Sequence, residues 1–89
     1  MTDIASAIAR YRTDLDQSIP IKQRAKNFWA AVVCSRELAS PDVITREFKQ
    51  LAEQTRLTAD LTDPHRRLDG QATVEHLIRW GLFNRNPFG

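Results

Sequence analysis

The 89-residue sequence predicts an all-α fold: a small bundle of about four short helices with a long loop before the last helix. Three observations carry that reading. Apolar residues recur at steps of three and four in four separate segments, no run alternates as a half-buried strand would, and breaks containing Pro, Ser or Gly separate the segments. A chain this short builds one core, so residues 1–89 are read as a single domain. By surface scaling it buries roughly 60 to 65% of the surface its unfolded form exposes, a margin small enough for a partner chain to add to.

Ile4, Ile8, Tyr11 and Leu15 form the first stripe and predict a helix over residues 3–18, capped by Thr2 or Asp3 and ended by the Ile19-Pro20 pair. Ser18 is placed to cap the next start, and Pro20 suits the first turn of a helix over 20–39, along which Ile21, Ala25, Phe28, Trp29, Val32 and Val33 keep helical spacing. From Phe28 to Cys34 every residue is apolar. Most of that circumference therefore needs cover, from this chain's other helices or from another subunit, and Cys34 reads as a small core residue.

Ser40-Pro41-Asp42 combines a cap, a first-turn proline and an acid at the positive end of the helix dipole, which opens a helix over 41–57. Val43, Ile44, Phe48, Leu51, Ala52 and Thr55 face inward on it; Arg46, Glu47, Lys49, Gln50 and Glu53 face solvent. Residues 58–70 have little periodicity and several turn formers, so they read as a loop, with at most one turn begun by Thr62 and Pro64. Val74, Leu77 and Ile78 predict the last helix over 71–81, ended by Gly81, and residues 82–89 form a tail rich in turn formers that still carries two phenylalanines.

Thirteen Lys and Arg against eleven Asp and Glu leave a net charge of +2, so the pI near 9.1 reflects a small excess that permits nucleic acid without implying it. One cysteine excludes an internal disulfide and a cysteine-based zinc site, and fits a reducing compartment. The first twelve residues lack the pattern of a signal peptide, and the longest apolar run is too short to span a bilayer. A cytoplasmic location without a membrane partner is expected.

The raw materials for catalysis are few: one cysteine, two histidines, and three glycines that form no phosphate-binding loop. Cys34, His76 and an acid are the available nucleophile, base and orienter, but a cysteine ending an apolar run is ordinarily packing. His65 and His76 lack a second histidine or cysteine three or four residues away. No catalytic residue, metal, cofactor or small-molecule substrate is expected.

Binding remains. The break at Ser40-Pro41-Asp42 is similar in architecture to a helix-turn-helix, with Arg46, Lys49 and Gln50 as groove contacts beside Thr45, and with Lys22 and Lys26 as phosphate contacts in a cluster that includes Arg24. Glu47 and Glu53 share the exposed side of that helix and weigh against a DNA-binding regulator, which stands as the alternative reading. His65, Arg66 and Arg67 offer a cationic loop tip to an acidic partner. Asn86-Pro87-Phe88 resembles the tripeptide bound by EH domains, although a turn-forming Asn-Pro is sufficient reason for it.

The leading expectation rests on aromatic surplus. Phe28, Trp29, Trp80, Phe83 and Phe88 outnumber the places four short helices provide, and such rings anchor protein interfaces. This predicts a non-catalytic interaction module, a regulator or adaptor that binds a protein partner or self-associates through Trp29, Trp80, Phe83 and Phe88. The competing expectation is that both tryptophans complete the core while the tail folds back over them.

Overall fold

In the computed structural model, which describes residues 4–63, 65 and 73–88, the backbone forms α1 (Ile4–Ala9), a 3₁₀ turn (Thr13–Leu15), α2 (Ile21–Ser35), α3 (Pro41–Gln54), α4 (Leu57–Thr62) and α5 (Val74–Leu82). No strand occurs among the described residues, as the sequence predicts for an all-α chain. The central element is α2, which packs against each of the other helices and most extensively against α5. Its Phe28 meets Phe48 of α3 edge to face, with centroids 5.5 Å apart at 87°, a favoured geometry for buried rings. Leu15, Ala25, Val32, Ile44, Leu51, Leu57 and Leu77 close the core around that pair.

The helix expected over 3–18 is interrupted after Ala9. There the N–H groups of Arg10 and Tyr11 donate only three residues back, to Ala7 and Ile8, and farther on the carbonyls of Asp14 and Leu15 accept from Asn27 Nδ2 at 2.7 Å and Arg24 Nε at 3.0 Å, which ties the 3₁₀ turn to α2. Asp16 Oδ1 then accepts from the backbone N–H of Ser18 at 2.8 Å, an Asx turn. Ser18 is thus committed to that turn and does not cap α2, whose N-cap position is Pro20 without a side-chain cap. The proposed caps Thr2 and Asp3 lie outside the described residues.

At its other end α2 stops at Ser35, short of 39, because Ser40 is already extended as the N-cap of α3 and residues 36–38 spend their length turning the chain. The Ser40 hydroxyl accepts from Val43 N–H, and Pro41 occupies the first turn, as their types predict.

Two further corrections concern residues 54–62. Helix α3 ends at Gln54, where Thr55 Oγ1 turns back to the Leu51 carbonyl and Arg56 adopts a left-handed conformation at φ 62°. Part of the expected loop 58–70 is then α4. Its Leu57 and Leu61 are buried four residues apart, with Asp60 beside them facing α2. Six residues cannot sustain a helix alone, so this one depends on tertiary packing and leaves almost no periodic signal. The remainder of that loop, apart from Asp63 and His65, lies outside the described residues, as do Pro64, Arg66 and Arg67.

Arg24 joins the separate pieces. Its side chain is 3% exposed and donates to the Leu15 carbonyl, to Asp60 Oδ2 at 2.6 Å and to the Thr55 carbonyl at 2.9 Å, linking the 3₁₀ turn, α4 and the end of α3. A planar guanidinium with several fixed donors makes such a junction possible. This removes Arg24 from the basic cluster read as a phosphate patch.

Candidate functional site

The geometry of α5 decides which aromatic rings remain outside. Thr73 caps the helix by accepting from His76 N–H, while His76 Nδ1 lies 3.2 Å from Thr73 N and accepts from it, a reciprocal capping box with histidine in the usual Glu or Gln place. Val74, Leu77, Ile78 and Gly81 follow at helical spacing and form the buried face. A Cβ on Gly81 would stand 2.6 Å from both Cβ and Cγ1 of Val32, so the absent side chain is what lets α5 approach α2. Gly81 therefore packs the crossing and does not terminate the helix, which runs on to Leu82.

The stop comes at Asn84, left-handed at φ 52°. Its N–H donates to the Gly81 carbonyl at 3.1 Å, and Arg85 N–H donates to that of Trp80 at 2.7 Å, the bond pair of a Schellman cap. Phe83, two residues beyond Gly81 on the helical wheel, is turned away from the core and is 77% exposed. Past the bend the chain returns. Arg85 presents its carbonyl to Trp29 Nε1 at 2.8 Å, and Phe88 packs edge-on against the Trp29 ring with centroids 6.2 Å apart. The Asn86 side chain accepts from Phe88 N–H at 2.9 Å, so the Asn-Pro-Phe segment forms a local turn docked on α2.

The four predicted contact aromatics therefore separate. Trp29 and Phe88 cover each other, Trp80 is half-buried and stacked on the His76 ring at 5.4 Å and 21°, and Phe83 alone of the four is exposed. The tail does fold back over Trp29, as the competing expectation has it. Among the described residues the other large apolar side chain in solvent is Leu38, 46% exposed. Cys34 is exposed as well, against the expectation of a core residue. On α2 the inward strip passes through Phe28, Ala31, Val32 and Ser35, and Cys34 shares the outward strip with Ala30.

Phe83 stands at one end of an open groove of about 310 Å³ between α3 and α5. Ile78 and Leu82 supply its apolar lining, Thr45 and Lys49 line it from α3, and Glu75 and Arg79 line it from α5. Lys49 Nζ bridges the two helices by pairing with Glu75 Oε1 at 3.3 Å. The Thr45 hydroxyl is turned to the Pro41 carbonyl at 2.8 Å. A cleft of this size is at the small end of those that hold ligands, and its walls are helix side chains alone.

The residues read as nucleic-acid contacts do not share one cavity. Arg46, Lys49 and Gln50 are all exposed on α3, but Lys49 lines the groove against α5, whereas Gln50 lines a second one against α1 with Glu47 and Gln54. Arg46 Nε lies 3.6 Å from Glu47 Oε1. Lys22, exposed, and Lys26, half-buried, sit on α2 and line neither groove. His65 is exposed, its backbone N–H held by Asp63 Oδ1.

Among the described residues no group of three His, Cys, Asp or Glu could hold a metal ion, and no helix is long and apolar enough to cross a membrane. His76, considered as a base for Cys34, has its Nδ1 engaged by Thr73. No family model matches the chain, and no curated protein and no solved structure is significantly similar to it.

Sequence reasoning named Phe83 and Lys49 but not Thr45 with Ile78, Arg79 and Leu82 as one surface. The missing signal was the pairing of α3 with α5, which no spacing within either helix contains.

Proposed function

We propose that this chain is a non-catalytic protein-interaction module, a regulator or adaptor of the cytoplasm, which docks a segment of a protein partner in the groove between α3 and α5. The observation that carries the reading is Phe83, a phenyl ring 77% exposed at the mouth of a groove lined by Ile78 and Leu82. Covering such a ring contributes about 1.5 to 3 kcal/mol, and aromatic side chains beside a pocket are typical interface anchors. The alternative, DNA on the exposed face of α3, is weakened by charge. Lys49 and Arg46 each have a glutamate within ion-pair distance, which reduces what they offer a polyanion. Cys34, a free exposed thiol, fits a reducing compartment.

A photo-crosslinking phenylalanine analogue at position 83, compared with the same analogue at Leu38, tests the reading in lysate of the native host. A discrete protein adduct specific to position 83 is expected, abolished by competing unlabelled chain but not by its Phe83→Ala variant, which removes an exposed ring and leaves the core intact. Equal labelling from both positions, or none, overturns it. Retention of the chain on mixed-sequence DNA at low salt, lost on Lys49→Glu, would favour the alternative.

A further inference from the structure

Resting on the docking reading above, we infer that the groove's occupant is a short amphipathic helix of a partner protein that carries a carboxylate opposite Arg79. Length and backbone chemistry specify the helix. From Glu75 to Phe83 the α5 wall extends about 12 Å at 1.5 Å per residue, while Thr45 and Lys49 stand one turn apart on α3. Two turns of helix fill that span and place two apolar residues, four apart, over Ile78, Leu82 and Phe83. An extended strand is a poorer fit, because both walls are helices whose backbone groups are already bonded and so offer none of the main-chain hydrogen bonds by which a sheet edge holds a strand.

Charge specifies the acid. Within the lining, Lys49 and Glu75 neutralise each other at 3.3 Å, whereas Arg79 is exposed and has no ion-pair partner among the described residues. The groove thus carries one uncompensated positive charge at its apolar end. A second copy of this chain bound face to face would offer Arg79 only a Glu75 that Lys49 already holds at 3.3 Å, so the observations favour a different partner that brings its own acid. A nucleic acid would meet Glu75 at the same wall.

The test is an NMR titration of the full chain with two synthetic 14-residue helical peptides. Both have leucines four residues apart on an alanine background; one has glutamates on the adjoining face and the other has lysines there. Saturable shifts at Ile78, Arg79, Leu82 and Phe83 are expected with the glutamate peptide, with affinity for the lysine peptide about tenfold weaker. The exposed substitution Arg79→Glu reverses that order and leaves the fold intact. Equal binding of the two peptides, an order unchanged by Arg79→Glu, shifts centred on Leu38, or shifts that grow with protein concentration alone overturn the inference. Should crosslinking at position 83 succeed while neither peptide binds, the docking reading stands and the acidic helix falls; should crosslinking fail too, both fall.

Discussion

Arg24 Nη1 lies 2.6 Å from Asp60 Oδ2, an ion pair formed between residues 36 apart in sequence, with side chains 3% and 8% exposed. Two charges withdrawn from water to this degree are tolerated because they pair directly and the guanidinium is multiply bonded. The guanidinium also reaches the carbonyls of Leu15 and Thr55, which would otherwise end their segments unpaired.

Removing one partner exposes that dependence. Arg24→Ala leaves Asp60 buried beside two abandoned carbonyls and lowers stability by about 3 to 5 kcal/mol, a large part of what a domain this size possesses. Arg24→Lys recovers little of it, since one ammonium on a flexible stem cannot meet three acceptors held in a fork. Urea midpoints measure both; a loss below about 1 kcal/mol for Arg24→Ala would show the junction to be dispensable.

Gly81→Ala sets two effects against each other. Alanine improves helix propensity by about 1 kcal/mol, but its Cβ must move away from a fully buried Val32, and the net is a loss of about 1 to 2 kcal/mol. Because the clash includes Val32 Cβ itself, adding Val32→Ala should not restore stability. Thermal melts of the two single variants and the double variant decide this, and rescue in the double variant would contradict the geometry.

Arg56 occupies left-handed backbone at φ 62°, a conformation that costs a non-glycine residue roughly 1 kcal/mol or more. Arg56→Gly should raise stability by up to about 1 kcal/mol, while the β-branched Arg56→Val lowers it by at least as much. Denaturant midpoints for the pair give opposite signs if the strain is local.

Asp16 links folding to acid. The backbone N–H of Ser18 above all, then the Ser18 hydroxyl, hold its carboxyl below the ordinary value of 3.8 against the opposing effect of desolvation, with the charge of Arg24 adding least. A depressed folded-state value means this contribution is present above 3.8 and is lost as pH falls through the lowered value. Asp16→Asn keeps the acceptor and removes the titration. Urea midpoints of the variant should therefore fall less steeply than those of the parent between neutral and acid pH, and identical slopes would refute the assignment.

What the sequence made legible was whatever is encoded within one turn of the residues concerned. Ser40, Pro41 and Asp42 announce a helix start through caps and dipole, and Val74, Leu77 and Ile78 announce a buried face through spacing. Arg24 was unreadable for the opposite reason: it sits between Lys22 and Lys26, looks like one more surface cation, and has its acid 36 residues away on a helix too short to declare itself. Cys34 misled because a continuous apolar run hides the direction of each member; Ala30 and Cys34 share one outward strip, while the polar Ser35 turns in. The groove was half legible. Phe83 and Lys49 were marked by type, but their meeting follows from the crossing that Gly81 permits and from the Lys49–Glu75 bridge.

The bend at Asn84 assigns two phenylalanines five residues apart to opposite duties, sending Phe83 outward and returning Phe88 to seal Trp29. Position 83 can therefore change with little penalty to folding, whereas position 88 is constrained by the ring it covers. Diverging lineages should vary at the first ring and preserve the second.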